Sequence, residues 1–397
     1  MTRTKERDTN RIVVKARFLS TFTILLGVIT MRRADAIAAG AIKKQNWEEF
    51  CDTSKDLDKI QQLALQRLNN RQQSIRDLQV ALLKLQIYVE KVGGGRLTAD
   101  MLAIAELYAT KLSMLTQAAA NTETAVMLTA VRDTARLQGA IDEFMSFAAG
   151  VASSSKGCVS TGDSNEGVIA GRTALDSATP SCKLTKVQIT PGTAEPTKLT
   201  TSGYKINNRG NGATGTITGT DTGCDLNSAE SNSKLLDDGN QDDLTTPPFL
   251  AWGFLTIGAS GIEQPDARTA GGLADNRPLM HAAHAALAAT ANPPPAFTLP
   301  ELAKLGDDTD FKPIARRLFL NKTANDASSD DSIAKKLTAA YNDQTTYDKK
   351  LKTNIDNEEI PKGISGDENN PKTLGTISDI AQLYRIFFIT KRLTPKL

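Results

Sequence analysis

The sequence predicts a mainly α protein. It is a long antiparallel two-helix coiled-coil hairpin with a loop-rich, disulfide-stapled head lobe and a C-terminal helix packed along the hairpin. Three observations carry this prediction. Apolar positions step by alternating fours and threes from residue 57 to residue 89 and again after a glycine turn, which is the seam of a helix burying one stripe. No proline precedes Pro180, so nothing interrupts helices of that length. After residue 150 the texture changes to Gly, Thr, Ser, Asn and Asp, and three of the four cysteines appear.

In chain order, residues 37–45 form a small-residue lead-in. The first seam is Leu57, Gln61, Ala64, Leu68, Arg71, Ile75, Leu78, Leu82, Leu85 and Val89. Its two polar members, Gln61 and Arg71, are long enough to lay their stems along the stripe. A helix of this span reaches roughly 70 Å at 1.5 Å per residue. Gly93-Gly94-Gly95 turns the chain back. The pattern resumes at Met101, Ile104, Tyr108, Leu112, Leu115 and Ala119, then runs more loosely through Val126, Ala130, Leu137, Ile141, Phe144 and Ala148. The hairpin thus occupies 45–150, the head lobe 151–290, and a lower lobe with the last helix 291–397. Within the head lobe, residues 153–240 read as short hairpins with little apolar surface to bury. Pro247-Pro248 opens an apolar segment containing Trp252, and residues 279–290 form an alanine-rich helix. Pro293-Pro294-Pro295 breaks the chain. Residues 299–305, 311–320 and 332–354 are helical candidates. The last element, 376–393, lines one side with Ile377, Ile380, Leu383, Tyr384, Phe387 and Phe388. No internal repeat of 20–50 residues is present.

The 397 residues are 40% hydrophobic and 23% charged, ordinary for a globular chain, and the 5% aromatic share suits helix packing. Arg3, Lys5, Arg7, Arg11, Lys15 and Arg17 precede an apolar run at 18–29, and Ala34-Asp35-Ala36 supplies small residues at a cleavage site. Residues 1–36 are therefore read as a signal peptide, the run being too short to span a bilayer. Its removal takes eight basic and three acidic side chains from totals of 47 and 45, leaving 39 and 42 and a net charge of −3. No basic stripe for nucleic acid remains. Behind a secretion signal, Cys51, Cys158, Cys182 and Cys224 imply two disulfides, and spacing alone leaves three connectivities open.

Motifs that carry chemistry are weak. Gly210-Asn211-Gly212-Ala213-Thr214-Gly215 has the letter pattern of a dinucleotide loop, but Asn207-Asn208-Arg209 precedes it instead of a buried strand, so it reads as a hairpin tip. His281 and His284 sit three apart on the alanine-rich helix with no third ligand nearby, and read as packing or surface residues. Asp237-Asp238-Gly239 with Asp242-Asp243 lacks the alternating oxygens and distal Glu of a calcium loop. The reading assigns no catalytic, cofactor-binding or metal-binding residue, and no enzyme activity. One modification signal stands out: Asn321-Lys322-Thr323 is the sole N-x-[ST] sequon, marking Asn321 for N-glycosylation.

Several short motifs, in order, resemble a known family. Trp47-Glu48-Glu49-Phe50-Cys51 with Ser54-Lys55-Asp56-Leu57, then Leu85-Gln86-Ile87-Tyr88 and Ile141-Asp142-Glu143-Phe144, are similar to the long helices of trypanosome variant surface glycoproteins. So are Pro180-Ser181-Cys182-Lys183-Leu184, Gly223-Cys224-Asp225-Leu226 and Leu383-Tyr384-Arg385. Gaps of 107, 24 and 42 residues between successive cysteines resemble the class A N-terminal domain, which the likeness extends over residues 37–397. The resemblance implies the pairing Cys51–Cys182 and Cys158–Cys224. It also implies a homodimer, passage through the secretory route to the external face of the plasma membrane, and neighbouring coat proteins and host antibodies as partners. The implied function is a surface coat antigen that shields the cell and evades antibodies by antigenic variation. The alternative is a receptor of the same helical-hairpin superfamily that captures a host serum protein. One departure is expected to matter: residues 391–397 show no ω-site, spacer and apolar tail, so a GPI anchor is not encoded in this sequence. The reading is then of a fragment, a truncated copy or a secreted form.

Overall fold

The computed structural model describes residues 40–93, 98–163, 166–184, 188–206, 215–217, 223–224, 226, 248–258, 261–291 and 297–393. The proposed signal peptide, the Gly94-Gly95 part of the turn, the acidic 237–243 stretch and the triple proline lie outside them.

Helix α1 (Lys44–Val92) carries the first seam without a break. The return arm is α2 (Ala99–Ala118), a π-helical turn (Ala119–Glu123) and α3 (Thr124–Gly150). The arms are antiparallel: Ser54 Oγ donates to Asp142 at 2.6 Å, Gln61 Nε2 to Gln138 at 2.7 Å, and Arg71 forks onto Glu123 at 2.6 and 2.5 Å. Leu57, Ala64, Leu78 and Leu85 are buried, as are Gln61 and Arg71. The two polar seam residues therefore pair across the hairpin instead of merely lying along it.

The π turn explains the looser second seam. One extra residue in the turn moves the next seam position along by one. Val126, which lies seven residues after Ala119 and belongs on the seam of an uninterrupted helix, stands 47% exposed. Met127 takes its place at 1%. Beyond Ala130 the phase matches the sequence again, with Leu137, Ile141, Phe144 and Ala148 buried.

Two compact units are distinguished: Met1–Gln61 with Arg132–Ile189 and Ala194–Leu287, and Gln62–Val131 with Thr190–Thr193 and Ala288–Leu397. In the first, α4 (Arg172–Ala178) and α5 (Pro278–Ala291) accompany a four-stranded antiparallel sheet in the order β1-β4-β3-β2. Its strands are β1 (Gly215–Thr216), β2 (Phe249–Leu250), β3 (Leu255–Gly258) and β4 (Gly261–Gln264). Phe254 packs edge-on against Phe50 of α1, with ring centroids 5.3 Å apart.

The second unit adds α6 (Leu302–Leu305), α7 (Phe311–Leu320), α8 (Ile333–Tyr341), α9 (Gln344–Asp348), a second π turn (Lys349–Thr353), α10 (Asn354–Asp356) and α11 (Ile380–Leu393). A small ladder pairs β5 (Glu359–Ile360) with β6 (Lys372–Thr373). One apolar cluster joins Leu78 and Leu85 of α1, Ile104 and Tyr108 of α2, Phe311 and Ile314 of α7, Tyr341, Tyr347, and Leu383 and Ile386 of α11. Charged ties surround it: Lys350 reaches Asp100 at 2.5 Å, Lys111 reaches Asp310 at 2.5 Å, and Lys91 reaches Glu358 at 2.5 Å. Burial works against the Asp100 carboxylate. Hydrogen bonds and charge from Lys350 and Thr98 outweigh that and hold Asp100 below the usual carboxylate range.

Two local expectations are corrected. The single helix expected over 332–354 breaks at Asn342, whose φ is positive (63°, with ψ −63°). It makes a tight turn in which the Asp343 N–H donates to Tyr341 O at 2.7 Å, and this ends α8. Asp343 then caps α9 by accepting the Thr346 N–H at 2.7 Å. In α11 the buried face is Leu383 and Ile386, whereas Tyr384 and Phe388 are exposed. Of the stripe read from the sequence, Ile377 and Leu383 are buried and Ile380 and Phe387 pack against the core, so only Tyr384 and Phe388 are misplaced, with Ile386 taking their side.

The phase shift is testable. Met127→Ala is expected to cost about 2–5 kcal/mol in chemical denaturation, and Val126→Ala to fall within about 0.5 kcal/mol of the native chain. Equal costs would contradict the assignment of the π turn.

Candidate functional site

The first unit is built on contacts to α1. The lead-in is clasped by residues 158–162: the Ile42 N–H donates to Cys158 O at 2.8 Å, and the Ser160 N–H donates to Ile42 O at 3.0 Å. Trp47, fully buried, donates its indole N–H to Ser160 O at 2.8 Å. Asn46 Nδ2 donates to Ile217 O at 2.9 Å. Further along α1, the buried Asp56 carboxylate accepts the backbone N–H of Thr197 at 2.5 Å, of Leu199 at 3.3 Å and of Lys198 between them. Lys59 completes the cluster at 2.8 Å. One acidic side chain thus fixes an extended segment that has no sheet of its own.

Sulfur links do the same for neighbouring loops. Cys51 is joined to Cys182 with Cα atoms 4.7 Å apart, and Cys158 to Cys224 at 4.8 Å. Arg172 ties α4 inward, donating to Ser146 Oγ at 3.1 Å and to the Cys182 carbonyl, and pairing with Asp176 at 2.7 Å. Asp142, opposite Ser54, is pushed up from its ordinary carboxyl range by burial, which the Ser54 hydrogen bond and Arg172 only partly offset.

His284 is not arranged as a ligand. Its Nε2 lies 2.8 Å from Thr200 O and its ring leans on Tyr204 at 6.3 Å, while Tyr204 itself donates to Met280 O at 2.8 Å. His281 is half-buried on the same helix. Among the described residues no three His, Cys, Asp or Glu side chains converge as a metal site. Of the glycine-rich motif only Gly215 is described, and it pairs with Gln264 in the sheet. Gly203 earns its place by close approach: a Cβ there would sit 2.5 Å from Arg268 O.

In the second unit, Asn321 ends α7 in the left-handed conformation (φ 52°), with Lys322 N–H returning to Arg316 O at 2.9 Å. This Schellman-type end turns the exposed Asn321 side chain away from the helix, and Thr323 is exposed as well.

Sequence reasoning missed the Asp56 cluster and also an aromatic cleft in the first unit of about 740 Å³. Phe147 of α3, Phe249 of β2 and Trp252 stand 57%, 51% and 58% exposed around it. Ala251, Trp252 and Gly253 all have positive φ (48°, 55° and 91°), so three successive left-handed residues hold the indole outward. The sole hint in the sequence was a Trp-Gly pair just after two prolines.

The comparisons agree with this architecture. The family profile for the trypanosome variant surface glycoproteins of A-type matches residues 23–390, and the chain belongs to that family. Variant surface glycoprotein MITAT 1.2 of Trypanosoma brucei brucei is 26% identical over 379 residues, covering 94% of this chain and 77% of the relative. Variant surface glycoprotein MITAT 1.1 of the same organism is 25% identical, with 93% and 75% covered. The solved structure of MITat 1.1 superposes with a TM-score of 0.73 at 23% identity, covering 90% of this chain and 97% of that one.

Two outcomes follow from these contacts. Reduction of both disulfides is expected to loosen residues 151–226 to proteolysis while the far-ultraviolet helical signal of the hairpin persists, since each bridge contributes about 2–5 kcal/mol to its own loops. Loss of most helicity on reduction would contradict this. Asp142 obeys the opposite sign from most acids. Its folded value is raised, so its contribution is fully present below the ordinary value of 3.8 and is lost as pH rises through the raised one. Asp142→Asn should therefore raise the melting temperature at pH 7, with an advantage that shrinks as the pH falls to 4.

Proposed function

We propose that this chain is a surface coat antigen of a trypanosome, whose work is physical: dense packing of identical copies shields the cell, and exchange of the exposed loops evades host antibody. The observation that carries the reading is the family match across residues 23–390. The members of that family are structural coat proteins, and the stapled, loop-rich unit on long helices suits such a role.

Residues 1–36 act as a cleaved signal peptide, and residues 37–397 form the N-terminal domain of a coat protein on the external face of the plasma membrane. No helix among the described residues is long and apolar enough to cross a membrane. The chain is a homodimer, with neighbouring coat proteins and host antibodies as further partners. The apolar residues left outward on the return arm, Met114 at 49%, Val126 at 47% and Leu128 at 59%, are the kind of surface a second copy covers. Asn321 carries an N-glycan. The chain has no catalytic role.

The test is a trypanosome that expresses this chain from its native gene. Antibody raised against the chain is expected to stain intact cells, and the purified protein incubated with host serum is expected to capture no stoichiometric ligand. Staining that needs permeabilised cells would contradict the coat reading. A single stoichiometric serum protein would favour the receptor of the same superfamily. On the same material, Asn321→Gln is expected to lower the apparent mass by one glycan and leave the melting temperature within a few degrees. An unchanged mass would remove the assignment.

A further inference from the structure

The aromatic cleft of the first unit is lined by Phe144 and Phe147 of α3, Phe249, Trp252, Leu279 and Arg277, with Glu143 at its rim. A volume of about 740 Å³ is that of a site for a small organic molecule. Such sites combine mainly apolar walls with a few polar groups that fix orientation.

The polar groups here have a sign. Arg277 is half-buried. Its Nε donates to Gly253 O at 2.8 Å and its guanidinium lies 5.0 Å from the Phe249 ring centroid. Burial alone pushes Arg277 below its ordinary value, the cost of a cation with no carboxylate in reach among the described residues. Arg136 lies 5.0 Å over the Trp252 ring. Guanidinium groups therefore already lie against two of the three exposed rings, Phe249 and Trp252, and give those walls a positive sign. Glu143, exposed at the rim, is the single opposing charge among the lining residues.

The backbone is adapted to this arrangement. Trp252, a bulky residue at φ 55° and ψ 37°, is a conformational outlier of the type that clusters at ligand clamps. Gly253 at φ 91° leaves room for the Arg277 stem, since a Cβ there would meet Arg277 Cγ at 3.0 Å. Strain, three exposed aromatic rings and a guanidinium with no carboxylate partner among the described residues thus converge on one cleft.

We propose that this cleft binds an amphipathic carboxylate, a small molecule with an apolar chain or ring and one anionic end. The apolar body lies among Phe147, Phe249, Trp252 and Leu279, and the carboxylate meets the terminal guanidinium N–H groups of Arg277. This binding is separate from the coat role and does not depend on it.

The chain contains its own reporter. Of its two tryptophans, Trp47 is fully buried and Trp252 is 58% exposed, so a ligand in the cleft shifts the emission of Trp252. The full chain is titrated with dodecanoate below its micellar concentration, alongside dodecanol and dodecyltrimethylammonium. A saturable blue shift with dodecanoate is expected, weaker by about tenfold or more for dodecanol, and absent for the ammonium compound. Arg277→Gln is expected to remove that preference, lowering dodecanoate affinity about tenfold or more and leaving dodecanol unchanged. Phe147→Ala, at an exposed wall that the fold does not need, is expected to weaken both. Trp252→Phe should abolish the signal with ligand binding retained by calorimetry. No saturable shift, equal binding of all three compounds, or a native emission that moves with protein concentration alone would overturn the proposal. The last result would mean that a second copy covers the cleft.

Discussion

The constraint on which the rest depends is the paired burial of α1 and the return arm. Propensity alone contributes little to α1 or to α2 with α3. Their stability comes from apolar stripes removed from water against each other and against what packs on them. Leu57, Ala64, Leu78, Leu85 and Val89 are all nearly inaccessible, and so are Gln61 and Arg71 between them. Burying Arg71 is tolerated because Glu123 receives its fork in two hydrogen bonds, and that contact holds Glu123 below its ordinary value. Such a pair adds less net stability than an apolar contact of the same size, but it accepts only one alignment of the two arms. Its partner residue lies within the π turn, so the local irregularity and the cross-hairpin pair are parts of one device.

Each unit then uses α1 differently. In the first, the helix presents polar fasteners. Trp47, Cys51 and Asp56, spaced about one turn apart, hold the chain at 160, 182 and 197–199. These fasteners act beside buried apolar side chains, Phe50, Leu57 and Ile60 of α1 with Val159, Leu175, Leu199 and Tyr204 of the segments they hold. In the second, α1 presents Leu78, Leu83, Leu85 and Ile87 to an ordinary apolar cluster closed by α7 and α11. A helix that holds loops partly through their backbone N–H and C=O groups and through sulfur leaves the exposed positions between those anchors free to vary. That is a useful property for a coat antigen.

Legibility in the sequence followed the same division. The hairpin, its direction and the helices at 278–291 and 311–320 were readable because periodic burial leaves a periodic trace. The phase slip at Val126 was not, since a π turn has no residue signature and shows only as a weakened pattern. The break at Asn342 had a signal, Asn followed by a capping Asp, that the amphipathic run over 332–354 masked. In α11, six apolar residues in close succession allowed two faces, and packing chose the one with Ile386. The aromatic cleft was illegible for a different reason. Phe144 and Phe147 lie more than a hundred residues from Phe249 and Trp252, and their meeting is a product of the tertiary fold. The Asp56 cluster was hidden likewise, because its partners are backbone N–H groups that carry no side-chain identity.

Hydrogen exchange resolved along residues 57–89 of the intact chain tests the central claim most directly. The account predicts one contiguous block of slow amides across α1, exchanging together at the slowest rate in the molecule and persisting when the disulfides are reduced. A block that splits into independently opening segments, or one in which α1 exchanges as fast as the loops once the sulfurs are free, would contradict it.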